Sequence, residues 1–134
     1  MDWKLEVVVV PVSDLDRAKH FYSEQCGFNV DVDNAVGDTW RNIQLTPPGS
    51  ACSIALLKGM DLMAPGSMKG LQLVVTDIQA ARTELVDRGV DVSPVRHVDQ
   101  ETSQWVDGPG GPWNSFIFFN DPDGNAWTIQ EKPA

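Results

Sequence analysis

Basic residues are scarce in this chain of 134 residues. Ten Lys and Arg stand against 19 Asp and Glu, a formal charge of −9 at pH 7. Such a surface repels a phosphate backbone and no basic cluster overrides it, so nucleic acid is not an expected partner. Long apolar runs are also missing. No stretch approaches the roughly 20 residues that a bilayer span requires, so no membrane partner is expected. The opening MDWKLEVVVV has no basic region, long apolar stretch or small-residue cleavage site. A secretory signal is therefore not expected, and a cytoplasmic location is. Only two cysteines occur, Cys26 and Cys52. Their spacing fits no metal or redox motif, and both fall where core residues are expected, so they read as buried thiols. Histidine is equally rare, with His20 inside a helical stretch and His97 in a loop. No nucleophile motif, phosphate loop or paired-acid signature stands out.

What is present is an ordinary globular composition, 42% hydrophobic and 22% charged, at a length that suits one domain. Leu5 to Val12 reads as a central strand. In SDLDRAKHFYSEQCGF, Ser13 is an expected N-cap with Asp16 three residues on, and Leu15, Ala18, Phe21 and Tyr22 form an apolar helical stripe ended by Gly27. Asn29 to Asp33, Thr39 to Thr46 and Ala51 to Leu57 follow as strands. Gly59 to Gly70 has glycine, proline and no period, and reads as a connection.

The pattern then repeats. Leu71 to Val75 is a strand, and TDIQAARTELVDRGVDV parallels the first helical stretch, with Thr76 as the expected cap and Ile78, Ala81 and Leu85 as the buried stripe. Val90 to Val92 starts another strand, Pro94 to Pro112 reads as irregular, and Trp113 to Phe119 is the penultimate strand. At the end, NDPDGNAWTIQE echoes LTPPGSACSI, with Pro122 matching Pro47, Gly124 matching Gly49 and Thr128 matching Ser53. Each half thus reads β-α-β-β-β. Neither half alone has a comfortable apolar surface, so the two are expected to share a continuous sheet with helices outside and a cleft within.

These stretches resemble the vicinal oxygen chelate superfamily, which contains glyoxalase I, bleomycin-resistance proteins, fosfomycin-resistance enzymes and extradiol dioxygenases. VPVSDLDRAKHFYSEQCGF, LVVTDIQAARTELVDRGV and DPDGNAWTIQE carry the resemblance, which spans nearly the whole chain. It implies an α+β fold of two paired βαβββ modules in a cupped mixed sheet, helices on the outer face, and frequently a homodimer. A single domain, 1–134, is expected, with module one about 1–58, a connection about 59–69 and module two about 70–134.

Metal-dependent members of that superfamily place His or Glu, sometimes Gln, on the first and last strands of each module. Those positions fall here on Val7, Leu71, Thr128 and, by the internal repeat, Ser53. Valine and leucine cannot ligate and neutral hydroxyls are poor substitutes, so no metal and no cofactor are expected. By alternation, Thr128 and Gln130 point inward while Trp127 and Ile129 pack under the helices, and Trp40, Asn42 and Gln44 face the cleft. An aromatic face with amide groups suits a planar organic ligand. The Pro94 to Pro112 segment adds Trp105 as a possible cover and His97 as a weak catalytic candidate, with Gly108, Gly110 and Gly111 permitting motion.

Three functions are weighed. The first is a small-molecule-binding protein that sequesters a planar or cationic organic compound, as bleomycin-resistance proteins do. The second is a metal-independent lyase, isomerase or cyclase. The third is a glyoxalase- or dioxygenase-like metalloenzyme with an unconventional site.

Overall fold

The computed structural model describes all 134 residues. Period-2 stretches become strands and capped, 3.6-period stretches become helices. In chain order these are β1 (Val7–Val9), α1 (Leu15–His20) running on into a π-helical turn (Phe21–Gln25), β2 (Asn29–Val36), β3 (Trp40–Thr46), β4 (Ser53–Lys58), β5 (Leu71–Val75), α2 (Ile78–Asp87), β6 (Arg96–Val98), β7 (Trp105–Asp107), β8 (Phe116–Asn120) and β9 (Ala126–Glu131). The strands hydrogen-bond as two sheets, β1-β4-β3-β2 and β5-β9-β8-β6-β7, rather than as one continuous sheet. In each, the first strand pairs in parallel with the last and the others pair antiparallel. The repeat seen in the sequence is thus a repeat of topology, to which the second half adds β7.

The chain divides into two compact units, one of residues 1–68 with 121–125 and one of residues 69–120 with 126–134. In the first, Ile43, Leu45, Ile54 and Leu56 alternate onto one face of the sheet and are buried together with Val10, Ala18, Phe21 and Tyr22. Tyr22 stacks on Phe28 with ring centroids 5.7 Å apart. Asp14, not Ser13, caps α1, its carboxylate accepting from the Arg17 N–H at 3.0 Å. Ser13 is taken by another acid: its N–H and hydroxyl both donate to Asp123, at 3.1 and 2.6 Å.

Asp123 belongs to the turn 121–125, which is held in the first unit by a buried polar network. The Asp121 carboxylate accepts from the Tyr22 hydroxyl at 2.7 Å, the Asn125 amide at 2.7 Å, and the N–H groups of Asp123 and Asn125 at 3.0 and 2.9 Å. The Asn125 amide also donates to the Pro11 carbonyl at 2.8 Å and accepts from the Met68 N–H at 3.0 Å. With Tyr22 and Asn125 wholly buried, every one of these bonds replaces one to water. Gly66 packs so tightly beneath the turn that a Cβ would lie 2.1 Å from the Asp123 carbonyl oxygen.

Across the same unit, Arg41 grips Asp33 through two bonds of 3.0 and 2.9 Å and reaches Asp16 at 2.8 Å, while Lys19 meets Asp33 at 2.8 Å. These pairs tie β2 and β3 to α1. The bidentate guanidinium, then the Lys19 ammonium, hold the Asp33 carboxyl far below the ordinary carboxylate range. Asp33, then Asp16, raise the Arg41 guanidinium correspondingly.

In the second unit α2 lies against β8 and β9, covering Ile117, Phe119, Trp127 and Ile129, all buried. Asp77, not Thr76, is its cap, accepting from the Ala80 N–H at 3.0 Å. Glu131 satisfies a further free donor of the helix start, accepting from the Ile78 N–H at 2.9 Å. The stretch read as irregular, Pro94 to Pro112, contains the β6–β7 hairpin, and Val92 makes only a single bridge, to Phe119. Cys26 and Cys52 form no disulfide and are half-buried rather than core residues.

Candidate functional site

In both sheets one face is covered by a helix and the other, called open for carrying none, is not, and pairing register assigns each side chain to a face. On the first sheet Val7 pairs with Ser53, Gln44 with Ala55 and Asn42 with Leu57. These residues, with Trp40 two positions from Asn42, therefore share the open face. Five of the sequence-derived candidates, Val7, Trp40, Asn42, Gln44 and Ser53, come together on it. The Ser53 and Thr46 hydroxyls lie 2.6 Å apart, and Thr46 donates in turn to Asp31.

On the second sheet Phe118 pairs with Thr128, Phe116 with Gln130 and Gln72 with Thr128. Arg96 pairs with both Phe116 and Asp107, which places Trp105, two residues from Asp107, on the same face. Trp105 meets Phe116 and Phe118 edge-on at 5.4 and 5.3 Å, and those two rings stack at 6.4 Å. Trp105 is nonetheless 52% exposed. Beside this aromatic cluster the Gln72 amide donates to the Gln130 side-chain oxygen, and the Gln130 amide donates to the Trp113 carbonyl, both at 2.8 Å. Thr128, Gln130 and Trp105 thus lie together. Phe116, Phe118 and Gln72 join them and were not singled out in the sequence, although each sits at the alternating position.

Two candidates lie elsewhere. Leu71 pairs with Trp127 and so faces the helix-covered side. The residue in register with Thr128, as Val7 is with Ser53, is Gln72. His97 pairs with Val106, opposite in direction to Trp105. Its Nδ1 lies 2.8 Å from the Gly108 carbonyl. Gly110, expected to lend mobility, is packed: a Cβ there would lie 2.4 Å from the Asn114 oxygen and 2.8 Å from His97 Cβ. Asn114 further clamps Val98 through paired bonds of 2.9 and 2.8 Å.

A concavity of the first unit, about 940 Å³, opens toward the start of α1 and is lined in part by Asp14, Asp16, Asp33, Asp38 and Trp40. Its acids are largely committed, Asp14 to the helix cap and Asp16 and Asp33 to Arg41. No group of three or more His, Cys, Asp or Glu side chains is arranged to hold a metal ion. No helix is long and apolar enough to cross a membrane.

Residues 4–129 match the family model described as Glyoxalase/Bleomycin resistance protein/Dioxygenase superfamily. Among solved structures, TnmS3, an antibiotic-binding protein from Streptomyces sp. CB03234, is 34% identical, with a TM-score of 0.76 covering 99% of this chain and 98% of that one. A glyoxalase/bleomycin resistance protein from the same Streptomyces is 35% identical with a TM-score of 0.73, covering 95% of this chain and 99% of that one. The uncharacterised protein YetH of Bacillus subtilis (strain 168) is 24% identical over 133 residues, 96% of this chain and 98% of that one.

Proposed function

Since the chain belongs to the Glyoxalase/Bleomycin resistance protein/Dioxygenase superfamily, we propose that it binds a planar or cationic organic compound on its open sheet faces and releases it unchanged. The observation that carries this reading is Trp105, half-exposed yet held edge-on by Phe116 and Phe118. A tryptophan fixed by two rings loses little rotamer freedom when a ligand stacks against it, so more of the contact energy is retained as affinity. The amides of Gln72 and Gln130 beside it supply orientation. The likeness to an antibiotic-binding protein points in the same direction. So does the net charge of −9, which favours a cation.

The superfamily's usual divalent metal does not fit this donor set. The first and last strands offer Val7, Ser53, Gln72 and Thr128 to the open faces. At these four positions that is one amide oxygen and two hydroxyls, and Gln130 adds only a second amide, with no imidazole or carboxylate to hold the ion. Nor does a metal-independent reaction at His97 draw support, because that ring belongs to the face opposite Trp105. We also read the protein as a homodimer in the cytoplasm. Trp3 and Leu5 are 86% and 72% exposed, and a second copy would cover them.

The test is isothermal calorimetry against a panel of planar cationic dyes, with mass spectrometry of the recovered dye. Saturable binding of unmodified dye is expected, weakened about tenfold or more in Trp105→Ala. Binding unaffected by that substitution, or chemical conversion of the dye, would refute the reading. Light scattering of the same sample reads the dimer.

A further inference from the structure

We infer that the Asn42 side-chain oxygen is the ligand-selecting acceptor of the first sheet's open face, and that the compounds it selects present an N–H or O–H donor at the edge of a planar ring. The inference rests on the ligand-binding reading above and specifies its chemistry on this face. Asn42 Oδ1 is the one buried side-chain nitrogen or oxygen in the protein without a hydrogen-bond partner. Among other half-buried or buried amides, Asn114 is engaged with the Val98 backbone, Asn125 with Pro11, Asp121 and Met68, and Gln130 with Trp113. An acceptor withdrawn from water and left unpaired is unfavourable, and native proteins keep such a group where something else supplies the donor.

The surroundings say what kind of donor that is. Asn42 lies between Trp40 and Gln44 along β3, opposite Leu57 on β4 and Asn34 on β2. Leu57 offers no polar atom, which leaves the amides of Asn34 and Gln44 as the polar neighbours of this oxygen. Trp40 lies two residues along the strand, and cross-face neighbours at this spacing are within reach of an aromatic side chain. A ring against the Trp40 indole can therefore carry an edge donor to the Asn42 amide, which turns about χ2 to meet it. A compound of the same shape with its donors methylated would leave the oxygen unpaired and occupy the same space. Discrimination by an unpaired buried polar group is stronger than discrimination by size alone.

Proflavine and acridine orange, each as its N10-methylated cation so that no ring N–H remains, make the test. Both are planar acridine cations, and they differ in whether the exocyclic nitrogens carry N–H groups or methyls. Their affinities are measured for the native protein and for Asn42→Leu, together with the melting temperature of each protein without dye. Native protein is expected to prefer proflavine by about tenfold or more. Asn42→Leu should lose the preference and melt no lower than native. Equal native affinity for both dyes, or a preference that survives in Asn42→Leu, overturns the inference and leaves the ligand-binding reading standing. A marked fall in the melting temperature of Asn42→Leu also overturns it, by showing that the amide is engaged within the fold. If native protein binds neither dye, the ligand-binding reading for this face fails, and the inference with it.

Discussion

Asn125→Ala is the substitution whose cost the structure defines most fully. The side chain makes three hydrogen bonds, two buried ones to the Pro11 carbonyl and the Asp121 carboxylate and a half-buried one from the Met68 N–H. Its loss leaves the Pro11 oxygen and the Met68 nitrogen without those partners and removes one of four donors from Asp121. Two ordinary bonds at about 1 kcal/mol each and one to a carboxylate at about 1.5–3 kcal/mol give roughly 4 kcal/mol. That is a large fraction of a typical domain's roughly 5–15 kcal/mol. Urea unfolding followed by far-ultraviolet circular dichroism measures it directly. Tyr22→Phe removes a single bond to the same carboxylate and should cost about 1.5–3 kcal/mol. Because the two share Asp121, their double variant should depart from additivity by more than about 0.5 kcal/mol. A cost for Asn125→Ala below about 1 kcal/mol, or strict additivity with Tyr22→Phe, would refute the network as described.

Two further substitutions probe the first unit. Gly66 and Gly49 both have positive φ, +78° and +81°, but only Gly66 has a backbone oxygen where its Cβ would go. Gly49→Ala should cost about 1–2 kcal/mol from conformation alone, and Gly66→Ala clearly more, in the same urea titration. Asp33→Asn removes the carboxylate that Arg41 and Lys19 hold and should cost about 1 kcal/mol at neutral pH. Because the folded carboxyl titrates below its unfolded value, its contribution is complete above about pH 4 and declines as the pH falls below that. Melting temperatures of native protein and Asp33→Asn should therefore differ by a constant amount between about pH 5 and 7 and converge in acid.

Most of the fold was legible because its signals are local. Alternation in Trp40 to Thr46 and Ala126 to Gln130 assigned faces that register confirms. The cap positions were read one residue early, since Ser13 and Thr76 are good caps and nothing local shows that Asp123 claims Ser13. Leu71 was misplaced for a related reason. Seven residues separate Val7 from the cap Asp14, but five separate Gln72 from Asp77, so the repeat slips between strand and helix. A strand's own residues do not reveal its parallel register, and a shift of one reverses every side chain. The β6–β7 hairpin was hidden by proline and glycine around two three-residue strands, whose pairing depends on contacts across the loop. With it went the means of seeing that Trp105 reaches Phe116 and Phe118. His97 invited attention as a residue type, and only pairing showed which way it faces.

The turn 121–125 has a consequence for how the chain is put together. In sequence it closes the second repeat, yet its bonds to Pro11, Ser13 and Tyr22 span about a hundred residues. The two repeats are therefore not interchangeable parts. Cut the chain at the connection, and the first piece loses the loop that seals its buried tyrosine. Permute the repeats, and the hairpin must still thread its tip back to the same place. Loop closure over that distance is slow to achieve and supports no native contact until it is made. The first half of the gene thus encodes most of a folding unit whose last five residues are supplied by the second.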